Sequence, residues 1–392
     1  MFEKEVFKYV QKGQVFYSAI FSYKEIVENS SVSIYSRQNR MGYQRALNDR
    51  HIMKIVKSLK KEQLPISPTS ILLGVDEENL IFENHTINIK KDLRENNFRI
   101  IDGQHRIMAI KKYIDELTKT DRFELVREIE DYQFSVIIMP INKNKKIKEV
   151  ETFQSINSKA KPLKTDLTRL ALIRYQELER VKEVDFNEHL SHRIMFSLND
   201  NRPFKTELEN YLDKRYINVW KDGIKLDVNN DDEIGVIGYS AFGKSILPIC
   251  NHYLSNELTK VYELDFETID ELLNSISDEI TFKLFVPIWN VIKERWPGGF
   301  LEQKALNSEI YFKEEYYIQK NMGIRPLHHI LLNIIKSLGD DFNNYNDVIE
   351  KFKIIINNSK LTSDDWRKGG KFKGLSSEAG FKHIENVILN KV

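Results

Sequence analysis

The stretch FRIIDGQHRIMAI, Phe98 to Ile110, constrains the fold more than any other. Phe98–Asp102 is a short apolar run of strand character, and QHRIMAIKKYIDEL sets Ile107, Ile110, Ile114 and Leu117 at helical spacing. They meet at Asp102-Gly103, a dipeptide suited to a tight corner. A strand that turns at once into an amphipathic helix requires a sheet with helices laid on it. Similar segments surround it. Gln14–Ser22, Thr69–Val75 and Asn79–Glu83 read as strands, and Tyr132–Pro140 as a buried strand stopped by its proline. Tyr43–Lys61 reads as a helix on Leu47, Ile52, Ile55, Val56 and Leu59, and KIKEVETFQSIN as one that breaks at Asn157-Ser158.

Past about residue 165 the pattern changes. TDLTRLALIRYQELERV, FKTELENYLDKRY, ETIDELLNSISDEI and RPLHHILLNIIKSL are helix-like, and convincing strands become scarce. The expected class is α+β: a mixed α/β domain over residues 1–165, then a mainly α-helical domain over 166–392. With 392 residues, two domains are the default.

The corner has a definite chemistry. Gly103 lets backbone amides approach a ligand, and a helix start presents free N–H groups at the positive end of its dipole. His105 and Arg106 add donors, and the guanidinium fork can bond two phosphate oxygens. Asp102 has three roles open to it: capping the helix, holding a divalent metal between phosphates, or orienting water.

DGQHRIMAI resembles the signature of the DGQHR-domain family, which includes DndB- and DpdB-like proteins of DNA modification systems. More distantly it is similar to the ParB/sulfiredoxin superfamily, in which a strand–turn–helix cradles nucleotide phosphates. Gly42–Leu59 and Phe153–Leu167 are similar to two further family segments, so the likeness spans roughly residues 37–170. The resemblance implies a ParB/sulfiredoxin-like first domain whose turn, Asp102, Gly103, Gln104, His105 and Arg106, binds the phosphates of ATP or another nucleoside triphosphate with Mg2+. Asp102, His105 and Arg106 would be the catalytic groups, with the metal at Asp102. Gln44 and Arg45 would face the turn from the early helix, and Asn157 and Lys159 from the third segment. The function implied is an ATP-hydrolysing accessory or regulatory protein of a phosphorothioate or deazaguanine DNA-modification system. Its partners would be DNA or a DNA-modifying enzyme, with a homo-oligomer left open. A DNA-binding transcriptional regulator without turnover is the alternative, and a ParB-like nuclease a weaker one, since no compact carboxylate cluster is evident.

A second phosphate motif, GYSAFGKS at Gly238–Ser245, satisfies the P-loop pattern, in which Lys244 would reach phosphate oxygens and Ser245 magnesium. Its surroundings read as helices and Pro248 follows closely, so it is discounted. His189 and His192 lie at i, i+3 without a third ligand and are expected at the surface. In WRKGGKFKG the cations Arg367, Lys368, Lys371 and Lys373 alternate with glycines beside Trp366 and Phe372, a composition suited to DNA contact as well as to a solvated loop.

Composition narrows the classes. Lys and Arg total 59 against 58 Asp and Glu, so DNA contact would need a local patch rather than a global field. A single cysteine, Cys250, rules out a disulfide framework and suits a reducing cytoplasm, the expected location. No apolar leader or membrane-length run is present, so no membrane association is expected.

Overall fold

The strand Phe98–Asp102 lies next to the edge of a six-stranded sheet, and its neighbours set the geometry of the corner. The computed structural model describes the chain except residues 1, 36–38, 45, 62–68, 90–97, 161–164, 182–183, 201, 203–210, 212, 227–233, 256–264, 301–302, 306–307 and 340–343. The side chains of 157–160, 165, 168, 303–305 and 308–309 also lie outside that description. Two compact units result, Met1–Val181 and Lys182–Val392.

In the first unit the elements run β1 (Phe2–Glu5), β2 (Phe7–Gln11), β3 (Gln14–Ser22), α1 (Tyr23–Asn29), β4 (Ser30–Ser31) and α2 (Asp49–Lys60). There follow β5 (Ile71–Asp76), β6 (Leu80–Glu83), β7 (Thr86–Ile89), β8 (Phe98–Asp102), α3 (Gln104–Lys119) and α4 (Phe123–Glu130). Last come β9 (Gln133–Ile141), α5 (Ile147–Ala160) and α6 (Thr165–Leu178). The main sheet has the order β2-β3-β9-β5-β8-β4. β5 pairs parallel to β9 and antiparallel to β8, so the sheet is mixed.

Period-two alternation assigns its two faces. Ile71, Leu73 and Val75 of β5 join Phe98 and Ile100 of β8 in one core with Ile107, Ile110 and Leu117 of α3. Leu72 and Ile101 face the other way, against Val150 and Phe153 of α5 and Ala171 and Tyr175 of α6. The helix after Lys164 therefore packs within the first unit, which runs on past residue 165. The β5–β8 register shifts between Leu72 and Leu73: Leu72 pairs with Asp102 but Leu73 with Ile100. This irregularity sits immediately before the corner, where a bulge re-aims the end of a strand.

Three expectations about element ends need correction. The early helix begins at Asp49 rather than near Tyr43, because the Asn48 side chain accepts from His51 N–H and caps it there, while Gln44 bridges to Ile34. β9 continues through Pro140 to Ile141, with Pro140 in register opposite Val75. α5 passes Asn157-Ser158 and ends at Ala160.

The second unit is mainly helical. It contains α7 (Phe186–Asp200), β10 (Ile224–Lys225), β11 (Ile237–Gly238), α8 (Tyr239–Ser255) and α9 (Phe266–Glu279), which runs through a π-helical turn, Ile280–Phe285, into α10 (Val286–Arg295). Two short strands, β12 (Gln303–Ala305) and β13 (Ser308–Ile310), precede α11 (Asn321–Ser337), α12 (Tyr345–Asn358) and α13 (Glu378–Ile388). α7 is buried over most of its length, and Arg193 within it donates to Asp270 O at 2.8 Å and Asn274 Oδ1 at 2.7 Å. A buried cation so satisfied welds α7 to α9. Among the described residues no helix is long and apolar enough to cross a membrane.

Candidate phosphate-binding site

Gly103 sits at φ +106°, ψ 1°, and is the N-cap of the 16-residue α3. An L residue is disfavoured in that conformation, and a Cβ there would also stand 2.4 Å from Ile71 Cδ1. The glycine is thus required both by backbone and by the packing of β5. It offers no side-chain cap, so the leading amides of α3 keep the anion-binding character of a helix start.

Arg106 turns back from the first helical turn. Its Nη1 donates to Thr69 O, its Nη2 donates to Ser70 O at 2.9 Å, and Asp102 Oδ2 lies 3.7 Å away. Burial pulls the guanidinium below its ordinary pKa, and Asp102 works against that shift. In this geometry Arg106 braces the corner against the chain entering β5. Asp102, with 41% of its side chain exposed, remains accessible at the strand end.

His105 Nε2 accepts a 3.3 Å hydrogen bond from Asn48 N–H. Its ring stands edge-on to His51, centroids 5.2 Å apart. The starts of α2 and α3 therefore meet at this histidine pair. Gln104 is 7% exposed, and its buried Oε1 has no hydrogen-bond partner among the described residues.

The flanking residues fare differently. Gln44 lies ahead of α2, fully buried, and its Nε2 donates to Ile100 O. Its expected place on the early helix is corrected to a segment ahead of that helix, where it braces Ile100 in the middle of β8. Arg45 lies outside the described residues. Asn157 and Lys159 fall on the last turn of α5, but their side chains lie outside the description.

A charged cluster beside the same strand is absent from the sequence expectations. Arg99 donates through Nε to Glu149 Oε1 at 3.1 Å and Oε2 at 2.9 Å, and its Nη1 is 2.8 Å from Asp76 Oδ1. The Tyr43 hydroxyl donates to Glu149 Oε1 at 2.5 Å. Burial opposes the Arg99 charge, but Glu149 and Asp76 outweigh it and raise its pKa, while burial and Glu149 push Tyr43 well up. Gly74 belongs to the same arrangement, since a Cβ there would meet Glu149 Oε2 at 2.8 Å. An arginine in an otherwise apolar strand is the one signal the sequence carries. This network ties β5, β8, α5 and the Tyr43–Gln44 segment together behind the turn.

Among the described residues no group of three or more His, Cys, Asp and Glu side chains could hold a metal ion. Asp102 is a single carboxylate. That suits Mg2+ only where phosphate oxygens and water complete the coordination, which is how Mg2+ commonly binds with nucleotides.

The other motifs resolve plainly. Tyr239–Ser255 is helical, so the GYSAFGKS amides serve α8 instead of wrapping a phosphate. Ser245 Oγ donates to Phe242 O at 2.6 Å and lies 2.9 Å from His328 Nδ1. His189 and His192, expected at the surface, are each only 4% exposed, and His192 Nδ1 lies 2.9 Å from the Tyr239 hydroxyl. Cys250 is buried, which raises its thiol pKa, as a packing cysteine requires. Arg367, Lys368, Lys371 and Lys373 are exposed, whereas Trp366 and Phe372 are fully buried.

No curated protein and no solved structure matches this chain. A family model does: the one described as DndB, DNA-sulfur modification-associated, matches residues 5–184. That range spans the mixed sheet, the corner and the Arg99–Glu149 network. Of the two modification chemistries the sequence resemblance left open, the match carries the sulfur one. The first unit, which carries the Asp102–Arg106 turn, is thus similar to the family described as DndB, DNA-sulfur modification-associated.

Proposed function

We propose that this chain binds the phosphates of a nucleoside triphosphate at the Asp102–Arg106 turn and hydrolyses ATP as an accessory component of the DNA-sulfur modification system. The observation that carries the reading is Gly103: a left-handed glycine opens an uncapped long helix at the irregular end of a sheet strand. That arrangement aims main-chain donors and a helix dipole at one point.

Each residue then has a task. The leading amides of α3 hold phosphate oxygens. Arg106 is a positioning residue, fixing the turn on the Thr69 and Ser70 carbonyls. The accessible Asp102 carboxylate would hold Mg2+, which supplies charge neutralisation across the phosphates when bound. His105 and His51, at the meeting of two helix starts, contact the outer phosphate. Hydrolysis on such a site is mainly positioning and electrostatic stabilisation.

The test is a binding and hydrolysis panel of ATP, CTP and GTP with and without Mg2+ and DNA, on wild type, Asp102→Asn and His105→Gln. Asp102→Asn should keep nucleotide binding without Mg2+ and lose phosphate release. Equal turnover in wild type and Asp102→Asn overturns the hydrolytic role. Failure of every nucleotide to bind overturns the site.

A further inference from the structure

The glycine-rich segment near the C-terminus of the second unit is an ordered platform. Trp366 and Phe372 are buried with ring centroids 4.9 Å apart, and Trp366 packs on Trp296 at 5.1 Å. Tyr317 N–H donates to Trp366 O and Lys368 N–H to Glu315 O, each at 2.7 Å, and Tyr316 bridges antiparallel to Arg367. Residues 315–317 therefore run beside 366–368. Gly369 and Gly374 turn the chain at φ +85° and +80°, with open space where a Cβ would stand.

This backbone gathers cations. Arg367, Lys368, Lys371 and Lys373 are exposed, and Lys313 and Arg367 both lie over the Tyr316 ring, at 5.7 and 5.8 Å. Lys320 donates to Glu314 O at 2.8 Å, and burial, then Lys368 and Lys225 beside it, pull its pKa below the ordinary lysine value. Acids stand nearby: Glu314, Glu315, Asp364 and Asp365. Asp365 Oδ2, however, accepts from the Thr362 N–H and hydroxyl. Among the described residues no carboxylate forms an ion pair with Lys313, Lys320, Arg367, Lys368, Lys371 or Lys373. Like charges held together on a fixed frame repel, a cost that a polyanion offsets.

We propose that this platform binds the phosphodiester backbone of duplex nucleic acid without reading its sequence. The buried aromatics decide the mode. A single-strand site needs exposed rings for base stacking, and a protein interface needs an exposed aromatic or apolar anchor. Here both rings face the core, and the exposed side chains of residues 366–374 are Arg367, Lys368, Lys371 and Lys373, which suits a phosphate backbone.

The experiment titrates a random-sequence 30-base-pair DNA duplex, and its single strand, onto the full chain over a salt series. Variants are Arg367→Gln/Lys368→Gln/Lys371→Gln/Lys373→Gln, the milder Lys371→Gln/Lys373→Gln, and Lys320→Gln. Neutralising one phosphate-bound cation should lower the salt slope by about 0.9, so the three variants should lower it by about 3.6, 1.8 and 0.9, with affinity falling in the same order. Tryptophan emission reports whether the platform stays folded, because Trp366 lies beneath it. The double variant and Lys320→Gln keep the test decisive if the quadruple variant unfolds. Unchanged affinity and slope in folded variants overturns the proposal, as does tighter binding of the single strand than of the duplex. The result is independent of nucleotide binding at the Asp102 turn.

Discussion

Replacing Gly103 by alanine tests whether the packing of β5 sets the corner. At φ +106° an alanine costs about 1–2 kcal/mol in backbone conformation. Its Cβ would stand 2.4 Å from Ile71 Cδ1 and 3.2 Å from Arg106 Nη2, an overpacking worth about 1–3 kcal/mol. Gly103→Ala should thus destabilise the first unit by about 2–5 kcal/mol. Ile71 is fully buried, and Ile71→Val removes the offending methyl at about 0.5–1.5 kcal/mol. In the double variant the steric part should disappear while the backbone part remains, so the pair should fall short of additivity by about 1–3 kcal/mol. Trp220, Trp289, Trp296 and Trp366, the chain's four tryptophans, all belong to the second unit, so their emission does not report this change. Hydrogen exchange of β5 and α3 peptides in a urea series does. Additivity within about 0.5 kcal/mol would refute the close approach of Gly103 and Ile71.

Arg106→Ala removes the charged hydrogen bonds to Thr69 O and Ser70 O, so the first unit should lose about 1.5–3 kcal/mol for each, read as a lower urea midpoint; an unchanged midpoint contradicts the bracing role. Glu149→Gln removes the charge that pairs with Arg99 and accepts from Tyr43, leaving Arg99 to Asp76 alone, and should cost about 3–5 kcal/mol, whereas Glu149→Leu with Arg99→Met should recover much of that; equal losses in both would show the pair is not acting as a unit. His328 is buried against Trp289 and Ser245, and burial lowers its pKa from 6.5 to about 3. Below pH 6.5 the unfolded ring takes a proton that the folded ring refuses, so second-unit stability should fall by about 1.4 kcal/mol per pH unit down to about pH 3. Tryptophan-monitored urea curves should show this slope, and His328→Gln should flatten it; the same slope in both would reject the assignment. Lys244→Ala should leave ATP binding unaltered in an equilibrium titration, since that lysine rides on α8.

The strand–turn–helix is legible in sequence because its signals are local: an apolar run, a turn glycine and a 3.6-residue period within about twenty positions. The sheet order and the β5–β8 irregularity are not, since pairing brings Leu72 to Asp102 across an intervening hairpin. Arg99 shows the same limit. Its partner Glu149 is 50 residues away, and Tyr43 lies 106 residues from Glu149, so only the fold assembles the cluster. Periodicity misplaces Gln44 because the helical pattern extends ahead of the Asn48 cap, which decides where the helix starts. The tail's cations are legible as exposed, but its aromatics are not legible as core, since burial of Trp366 depends on Trp296.

Nucleotide phosphates should meet the start of α3, and hydrogen exchange with and without Mg2+–ATP tests that most directly. Protection should appear in the peptide covering Asp102–Ile107 and in the start of α2 around Asn48–His51. Protection confined to Gly238–Ser245, or absent from both places, would contradict it.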